Sequence, residues 1–361
     1  MQNQNKKIGL IVDCLSFGGA ERAAAIASQL FHKAGYDVLI VTLKPEVSYN
    51  YSGRLVHLGE SVSSIKPIKQ FQKLWRLRKI IKENPNTIWI DYRMRNRWWM
   101  EYLIYQTSFK NETVIYTVHN YHIDYHIPKG DFFRKLYAKA TVTSVSKGIQ
   151  TRLKNEKGVD SHYLPNPIDR QRIFDKSMAH SVEGNYVVAV GRLLNSVKQF
   201  DLLIEAYSNS NLRTKGIRLK ILGEGPDYDV LKRQIASLGL DNHVELLGFV
   251  ENPYPYIKSA KFLCLTSKFE GLPMVILEAL SLKTPVLAFD CPSGPSEMII
   301  YNKNGILVEN QNTNDLVDTL NTLAEDSEFL NKLSETNPEI DLKNYSLEQH
   351  LESWKVIFKT L

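Results

Sequence analysis

Cysteine is scarce: the three thiols, Cys14, Cys264 and Cys291, are scattered through 361 residues. They form neither a redox pair nor a metal-ligand spacing, which fits a reducing cytosol. No apolar run approaches the roughly 20 residues of a membrane-spanning helix. The start "KKIGLIVDCLSFGG" has an apolar core of only Ile8 to Val12 before Asp13, so a strand is expected there and not a signal peptide. Neither "SFGGAER" nor "GEGP" completes G-x-G-x-x-G, which argues against a nicotinamide-dependent dehydrogenase. Metal-ligand clusters are also missing. Asp227-Tyr228-Asp229 is an Asp-x-Asp, but it follows Pro226 at the start of a predicted helix, where acids cap and complement the dipole. Low-complexity tracts, short repeats and nucleic-acid recognition motifs are likewise absent, so no nucleic-acid partner is expected.

The length exceeds the roughly 250–300 residues of a single core and predicts two domains. Charge divides the same way. Residues 1–168 hold 25 Lys and Arg against 13 Asp and Glu, and residues 169–361 hold 20 against 26. An overall +6 therefore hides a basic front half and an acidic back half, which points to an anionic surface or substrate met by one half. Each half alternates short apolar strands with amphipathic helices. The strands expected in front are "KIGLIVD", "DVLIVTL", "TIWID", "TVIYTV" and "ATVTSVS". Behind, they are "NYVVAVGR", "RLKILG", "HVELLG", "KFLCLTS", "PVLAFD" and "GILVE". The pattern predicts an α/β protein of two doubly wound, Rossmann-like domains, with ligands bound beyond the carboxyl ends of the strands. The expected division is a first domain over 1–168, a linker over 169–184, a second domain over 185–345, and a C-terminal helix over 346–361 packing back toward the first domain.

Unusual residues cluster in the loops that follow strands. After "KFLCLTS" come Glu270, Gly271, Leu272 and Pro273, and then a helix opening at Met274. Pro273 suits a first helical turn, and the free N–H groups of a helix start form an anion site. Glu278 is the one ionisable group in the apolar run from Pro273 to Leu282, four residues after Met274 and on its face. A lone buried carboxylate is costly, so Glu278 is expected either to serve a ligand or to sit in a buried salt bridge. Glu270 reads as a ligand residue or an exposed loop acid. Arg192 directly follows Gly191 at a strand end, and Lys198 stands near the next helix start. The two are a candidate diphosphate clamp or a pair of solvated cations. Gly18-Gly19 permits close backbone approach to a phosphate, though such a turn is often only a turn. His119 ends the strand of "TVHN" and reads as a sugar or phosphate ligand or as a satisfied core histidine.

Taken together, "GGAER", "VGRLLNSVKQFDLLIEAY", "LKILGEGPDYDVL", "VELLGFV" and "SKFEGLPMVILEALSLKTPVLAFDCPSGPSEMI" resemble a retaining glycosyltransferase of the GT-B fold, glycosyltransferase family 4. The resemblance is dense from about 185 to 310 and includes the E-x7-E pair Glu270 and Glu278; in front, only the first strand-turn-helix and "TVHN" match. It implies two domains facing a central cleft, with Glu278 on the ribose hydroxyls of a nucleotide. Glu270 and the backbone of Gly271, Leu272, Pro273 and Met274 would hold the donor sugar and its phosphate. Arg192 and Lys198 would neutralise the leaving diphosphate, Gly18-Gly19 would meet the phosphates and His119 the sugar. Phe249 and Val250 would line the base pocket, with Glu297 nearby. The implied reaction transfers a hexose or N-acetylhexosamine from a nucleoside-diphosphate sugar, UDP before GDP, to a glycan or lipid-linked glycan acceptor. It needs no metal or other cofactor, and the departing phosphate serves as base. Competing readings are an epimerase or phosphorylase on the same architecture, and a non-catalytic nucleotide-sugar-binding subunit.

"SIKPIKQFQKLWRLRKIIKEN" (64–84) carries seven cations before its first acid, Glu83, with Ile68, Phe71, Leu74, Trp75 and Ile81 between them. "RMRNRWW" (93–99) and "FFRKLYAKA" (132–140) again mix cations with aromatics, as interfacial segments do. The expectation is a cytoplasmic protein held peripherally on an anionic membrane surface, the inner face of the plasma membrane, where it extends a bacterial surface polysaccharide. The alternative is a core-packed helix with a solvated basic face.

Overall fold

The computed structural model describes residues 6–16, 18–60, 62–335 and 342–361. They divide into two compact units: residues up to Pro167 together with Leu347–Leu361, and Ile168–Ser346.

In the first unit, β1 (Lys7–Val12), β2 (Asp37–Thr42), β3 (Arg54–His57), β4 (Thr87–Asp91), β5 (Val114–Val118), β6 (Thr141–Ser144) and β7 (His162–Tyr163) form a parallel sheet in the order β3-β2-β1-β4-β5-β6-β7. The apolar β1 and β2 are buried almost throughout, as strands covered on both faces must be. Gly9 sits opposite Trp89 in the β1–β4 register, and a Cβ there would collide with the indole. A glycine that weakens most strands is what lets the fully buried Trp89 lie across β1. The connecting helices are α1 (Gly19–Lys33), α2 (Lys66–Glu83), α3 (Trp98–Ile104), α4 (Asp131–Lys139) and α5 (Lys147–Arg152).

The helix Leu347–Phe358 closes this first core. Its Trp354 meets Phe31 of α1 edge-on, with ring centroids 5.7 Å apart, and stacks on Phe358 at 5.5 Å. His350 pairs with Pro165 O through Nδ1 at 2.9 Å, and its Nε2 accepts from Trp354 Nε1 at 3.0 Å. That acceptance requires the neutral tautomer with its proton on Nδ1. Burial agrees, lowering the His350 pKa to about 4.

The second unit holds β8 (Tyr186–Val190), β9 (Arg218–Leu222), β10 (Val244–Gly248), β11 (Leu263–Leu265), β12 (Val286–Phe289) and β13 (Gly305–Val308), all parallel, in the order β10-β9-β8-β11-β12-β13. Among its helices are α6 (Arg170–Ser177), α7 (Asn195–Lys198), α8 (Phe200–Asn209), α9 (Tyr228–Ser237), α10 (Tyr254–Ser259) and α11 (Met274–Ser281). The stretch expected as a linker, 169–184, is partly structured: α6 (Arg170–Ser177) is capped by the Asp169 side chain, buries Ile173 and belongs to this unit. An Asp cap and one apolar anchor suffice to order a segment that its polar composition assigned to a tether.

In each sheet the strand order reverses direction once, between β1 and β4 and between β8 and β11. These are the switch points where doubly wound sheets open a crevice.

Candidate functional site

The second crevice gathers the motif residues. From the β8 side, Gly191 leads to Arg192, whose side chain is exposed, and then to α7 (Asn195–Lys198). From the β11 side come Thr266, Ser267 and Glu270 and then α11 (Met274–Ser281). Lys198 Nζ stands 2.5 Å from Glu270 Oε1, which also accepts from Ser267 Oγ at 2.6 Å. Lys268 N donates to Val197 O at 2.8 Å, and Thr266 Oγ1 donates to Lys198 O at 3.1 Å, so the two loops are stitched together. Glu270 is therefore a partner of Lys198 and no exposed loop acid.

Pro273 is the residue before α11 and not its first helical one, and no side chain caps that helix. By helix geometry the N–H groups of Met274 and Val275 have no acceptor within it. The loop Gly271–Pro273 rests on the next strand's loop: Ser293 Oγ donates to Gly271 O at 2.9 Å. Gly294, at φ 104°, lies so close to Pro273 that a Cβ would strike the ring. Leu272 is buried. Glu278 lies one turn into α11 and is 6% exposed. Glu297 is half-buried in the short helix Pro295–Met298, its own carbonyl accepting from Tyr345 Oη at 3.1 Å. Phe249, 65% exposed, and Val250 follow β10, two strands from β8 and so roughly 10 Å along the crevice edge.

Sequence reasoning missed the support behind Arg192. α9 (Tyr228–Ser237) follows the "GEGP" loop, and a Cβ on Gly223 or Gly225 would collide with the backbone of Gly191 or Leu193. Asp227 does not cap α9 through its side chain; its Oδ2 accepts from Asn195 N at 2.6 Å. The Gly-x-Gly-Pro-Asp pattern was visible, but its target needed the adjacency of β9 and β8.

The first unit carries the remaining candidates. Gly18 is the residue before α1 and Gly19 begins it. The Glu21 carboxylate folds back over Gly18, where a Cβ would meet it. The helix start expected to meet a phosphate thus holds a resident carboxylate, whose pKa burial raises. His119, beyond the end of β5, lies 5.3 Å from the Tyr92 ring. Both its ring nitrogens are buried with no hydrogen-bond partner among the described residues, so it is not a satisfied core histidine. Burial, then the Arg95 charge and His350, lower its pKa to about 3, leaving a neutral imidazole with one donor and one acceptor to offer.

Two cations assigned to a membrane-facing segment are instead structural. Arg93 grips Asp91 from Nε at 2.9 Å and Nη2 at 2.8 Å, and meets Glu101 at 3.1 Å. Burial works against its charge, but Asp91 and Glu101 outweigh that and raise its pKa. Arg95, 0% exposed, donates to the carbonyls of Asp91, Arg93, Thr117 and His126. It ties the ends of β4 and β5 to the loop bearing His119.

Comparison with known proteins agrees with this layout. Residues 17–172 match Glycosyltransferase Family 4 and residues 170–339 match Glycosyl transferases group 1. The chain is 30% identical to the Campylobacter jejuni N-acetylgalactosamine-N,N'-diacetylbacillosaminyl-diphospho-undecaprenol 4-alpha-N-acetylgalactosaminyltransferase, over 90% of this chain and 92% of that one. Its identity to the amylovoran biosynthesis glycosyltransferase AmsD of Erwinia amylovora is 26%, over 97% and 99%. A solved structure of a mutant S. aureus TarM in complex with fondaparinux, alpha-GlcNAc-glycerol and UDP superposes with a TM-score of 0.79 at 17% identity, covering 98% of this chain and 99% of that one. The fold is GT-B. The chain belongs to the group 1, family 4 glycosyltransferases, and the two relatives named above act, by their names, on a lipid-linked glycan and in amylovoran biosynthesis.

Proposed function

We propose that this glycosyltransferase moves a hexose or N-acetylhexosamine from a nucleoside-diphosphate sugar, UDP in preference to GDP, onto a hydroxyl of a lipid-linked glycan, with retention and without a metal. The observation that carries the reading is the Lys198–Glu270 pair at the β8/β11 switch point, beside exposed Arg192 and the uncapped start of α11. Fixed cations and a helix start stabilise charge as it develops on a leaving diphosphate. Glu278 accepts from ribose hydroxyls, Phe249 and Val250 border the base, and the backbone from Gly271 to Met274 receives phosphate and sugar. The family resemblance assigns the sugar to His119 and the phosphates to Gly18-Gly19. In the transfer the bond from the anomeric carbon to the diphosphate oxygen breaks. The acceptor oxygen bonds that carbon on the same face, and its proton passes to the departing phosphate. UDP in the TarM complex supports the choice of nucleotide.

The acceptor side rests on a surface. On α2, Leu77 and Ile81 face the core while Ile68, Phe71 and Trp75 are exposed on one stripe, the last two at 63%. Exposed Arg78, Lys79 and Lys82 continue the stripe. No helix among the described residues is long and apolar enough to cross a membrane. An apolar stripe bordered by cations suits the headgroup boundary of an anionic leaflet, at about 1 kcal/mol per basic residue near the surface. The enzyme then works peripherally on the cytoplasmic leaflet, where a polyprenyl-linked acceptor is presented.

The test is incubation with UDP- and GDP-sugars and a polyprenyl-diphosphate glycan, with the product's anomeric configuration read by NMR. Retained configuration and survival of activity in excess chelator are expected. An epimerised donor, a sugar phosphate, an inverted linkage or chelator loss restored by a divalent ion each overturns the corresponding part. Co-sedimentation with anionic vesicles should exceed that with neutral ones and fall in Phe71→Ser/Trp75→Ser; equal, negligible binding to both would leave a soluble acceptor.

A further inference from the structure

We infer that Asp227 is a positioning residue for Lys198, acting through the first turn of α7. This deepens the reading in which Lys198 meets the leaving diphosphate and rests on it. α7 spans only Asn195–Lys198 and ends at Gln199 in the left-handed region, φ 50°. Four residues cannot hold a helix by their own hydrogen bonds, since nucleation is unfavourable. Its pitch must be set from outside. At its far end the β11 loop supplies Thr266 and Lys268. At its near end, Asp227 Oδ2 accepts from Asn195 N at 2.6 Å, and Asp227 N donates to Leu193 O at 3.2 Å. Leu193 N in turn donates to Glu224 O at 2.9 Å. A carboxylate from the neighbouring loop thus does what a residue of the helix would do at its N-terminus, and places a negative charge at the positive end of the turn. Lys198 lies three residues on, with its ammonium on Glu270.

This gives the Asp-x-Asp pattern a role that needs no metal. Asp229 is exposed in the first turn of α9, whereas the Asp227 carboxylate is committed to a backbone N–H. It also explains both close glycines, because the "GEGP" loop brings Asp227 to α7 only if Gly223 and Gly225 touch the β8 loop.

Asp227→Ala should lower kcat about tenfold or more with little change in donor KM, as expected for a hydrogen bond to a charged group that acts on the transition state. Asp227→Asn keeps an acceptor oxygen and should recover most of the loss. Asn195→Pro removes the donor from the other side. Pro is tolerated at a first helical position, and Leu194 already has the extended backbone that precedes proline (ψ 93°). It should reproduce the Asp227→Ala loss without adding to it. In a Lys198→Ala background Asp227→Ala should cost less than twofold more. Amide exchange at Asn195 and Lys198 should accelerate in Asp227→Ala whatever the activity does.

Wild-type kcat in both Asp227→Ala and Asn195→Pro would overturn the proposal. So would unchanged exchange, or a full additive loss on top of Lys198→Ala. Activity restored to Asp227→Ala by millimolar manganese would return Asp227 to the metal reading. If Lys198→Ala alone has no effect while exchange still accelerates, the positioning stands and the leaving-group role fails.

Discussion

The first unit buries two cations beyond the ends of its central strands β4 and β5, where Arg93 and Arg95 are enclosed by Asp91, Glu101 and four backbone carbonyls. The second keeps Arg192 and Lys198 at the rim of its crevice, one exposed and one half-buried. The units share a doubly wound architecture, yet the cations are enclosed beneath a loop in one and stand at the crevice rim in the other, where Lys198 is held by Glu270. Two of the front half's cations are buried with two of its acids, so its count of cations overstates what reaches the surface while its net surplus does not.

The sharpest way to break this comparison is Arg93→Met. It leaves Glu101 buried without its cation and Asp91 with only the more distant Arg95, at 3.7 Å, and should cost about 3–5 kcal/mol of stability. Denaturant titration reads the loss, while calorimetry below the transition should find nucleotide affinity unchanged. A surface role for Arg93 predicts almost no destabilisation. Lys198→Ala is the counterpart in the second unit. Stability should hold while kcat falls about 100- to 1,000-fold, the scale of losing one preorganised group that stabilises developing charge. Glu278→Gln comes next, weakening nucleoside-diphosphate binding by about 1.5–3 kcal/mol in calorimetry if the carboxylate holds the ribose. Unchanged affinity would return Glu278 to a structural salt bridge.

The smallest effect is pH-dependent and belongs to the first unit. Burial holds His350 at about 4 and His119 at about 3, below the roughly 6.5 of an unfolded histidine. The unfolded chain binds the extra protons, so this stability is fully present above about pH 6.5 and is lost as pH falls toward 4. Each histidine contributes a slope of up to about 1.4 kcal/mol per pH unit. Urea midpoints at pH 7, 5.5 and 4.5 should fall, and His350→Gln should flatten the decline.

The same comparison decides what was legible. In the second unit each motif follows a strand, and a loop after a strand has one place to go, so Arg192, Lys198, Glu270 and Glu278 could be grouped from order alone. Asp227 could not, because its acceptor role depends on which strands are neighbours. In the first unit the apolar strands were plain, but β3 and the two-residue β7 are short edge pieces without a long apolar run. Arg93 and Arg95 were misjudged because a run of cations and aromatics reads alike on a surface and under one. Beside the nearby Asp91 carboxylate, their partners are the carbonyls of Asp91, Thr117 and His126 and an acid eight residues on, and only the fold brings these together. The helix Arg170–Ser177 was masked by the prolines before it, although Asp169 announced its start.

The helix Leu347–Phe358 has a consequence for how the molecule is made. Phe31 is synthesised early, yet its aromatic partners Trp354 and Phe358 emerge only after the whole of Ile168–Ser346 has left the ribosome. The second unit is contiguous and can fold during translation, while the first waits with an apolar face open until the last helix arrives. Chains released at Ser346 should therefore carry a native-like second unit beside a chaperone-seeking first one.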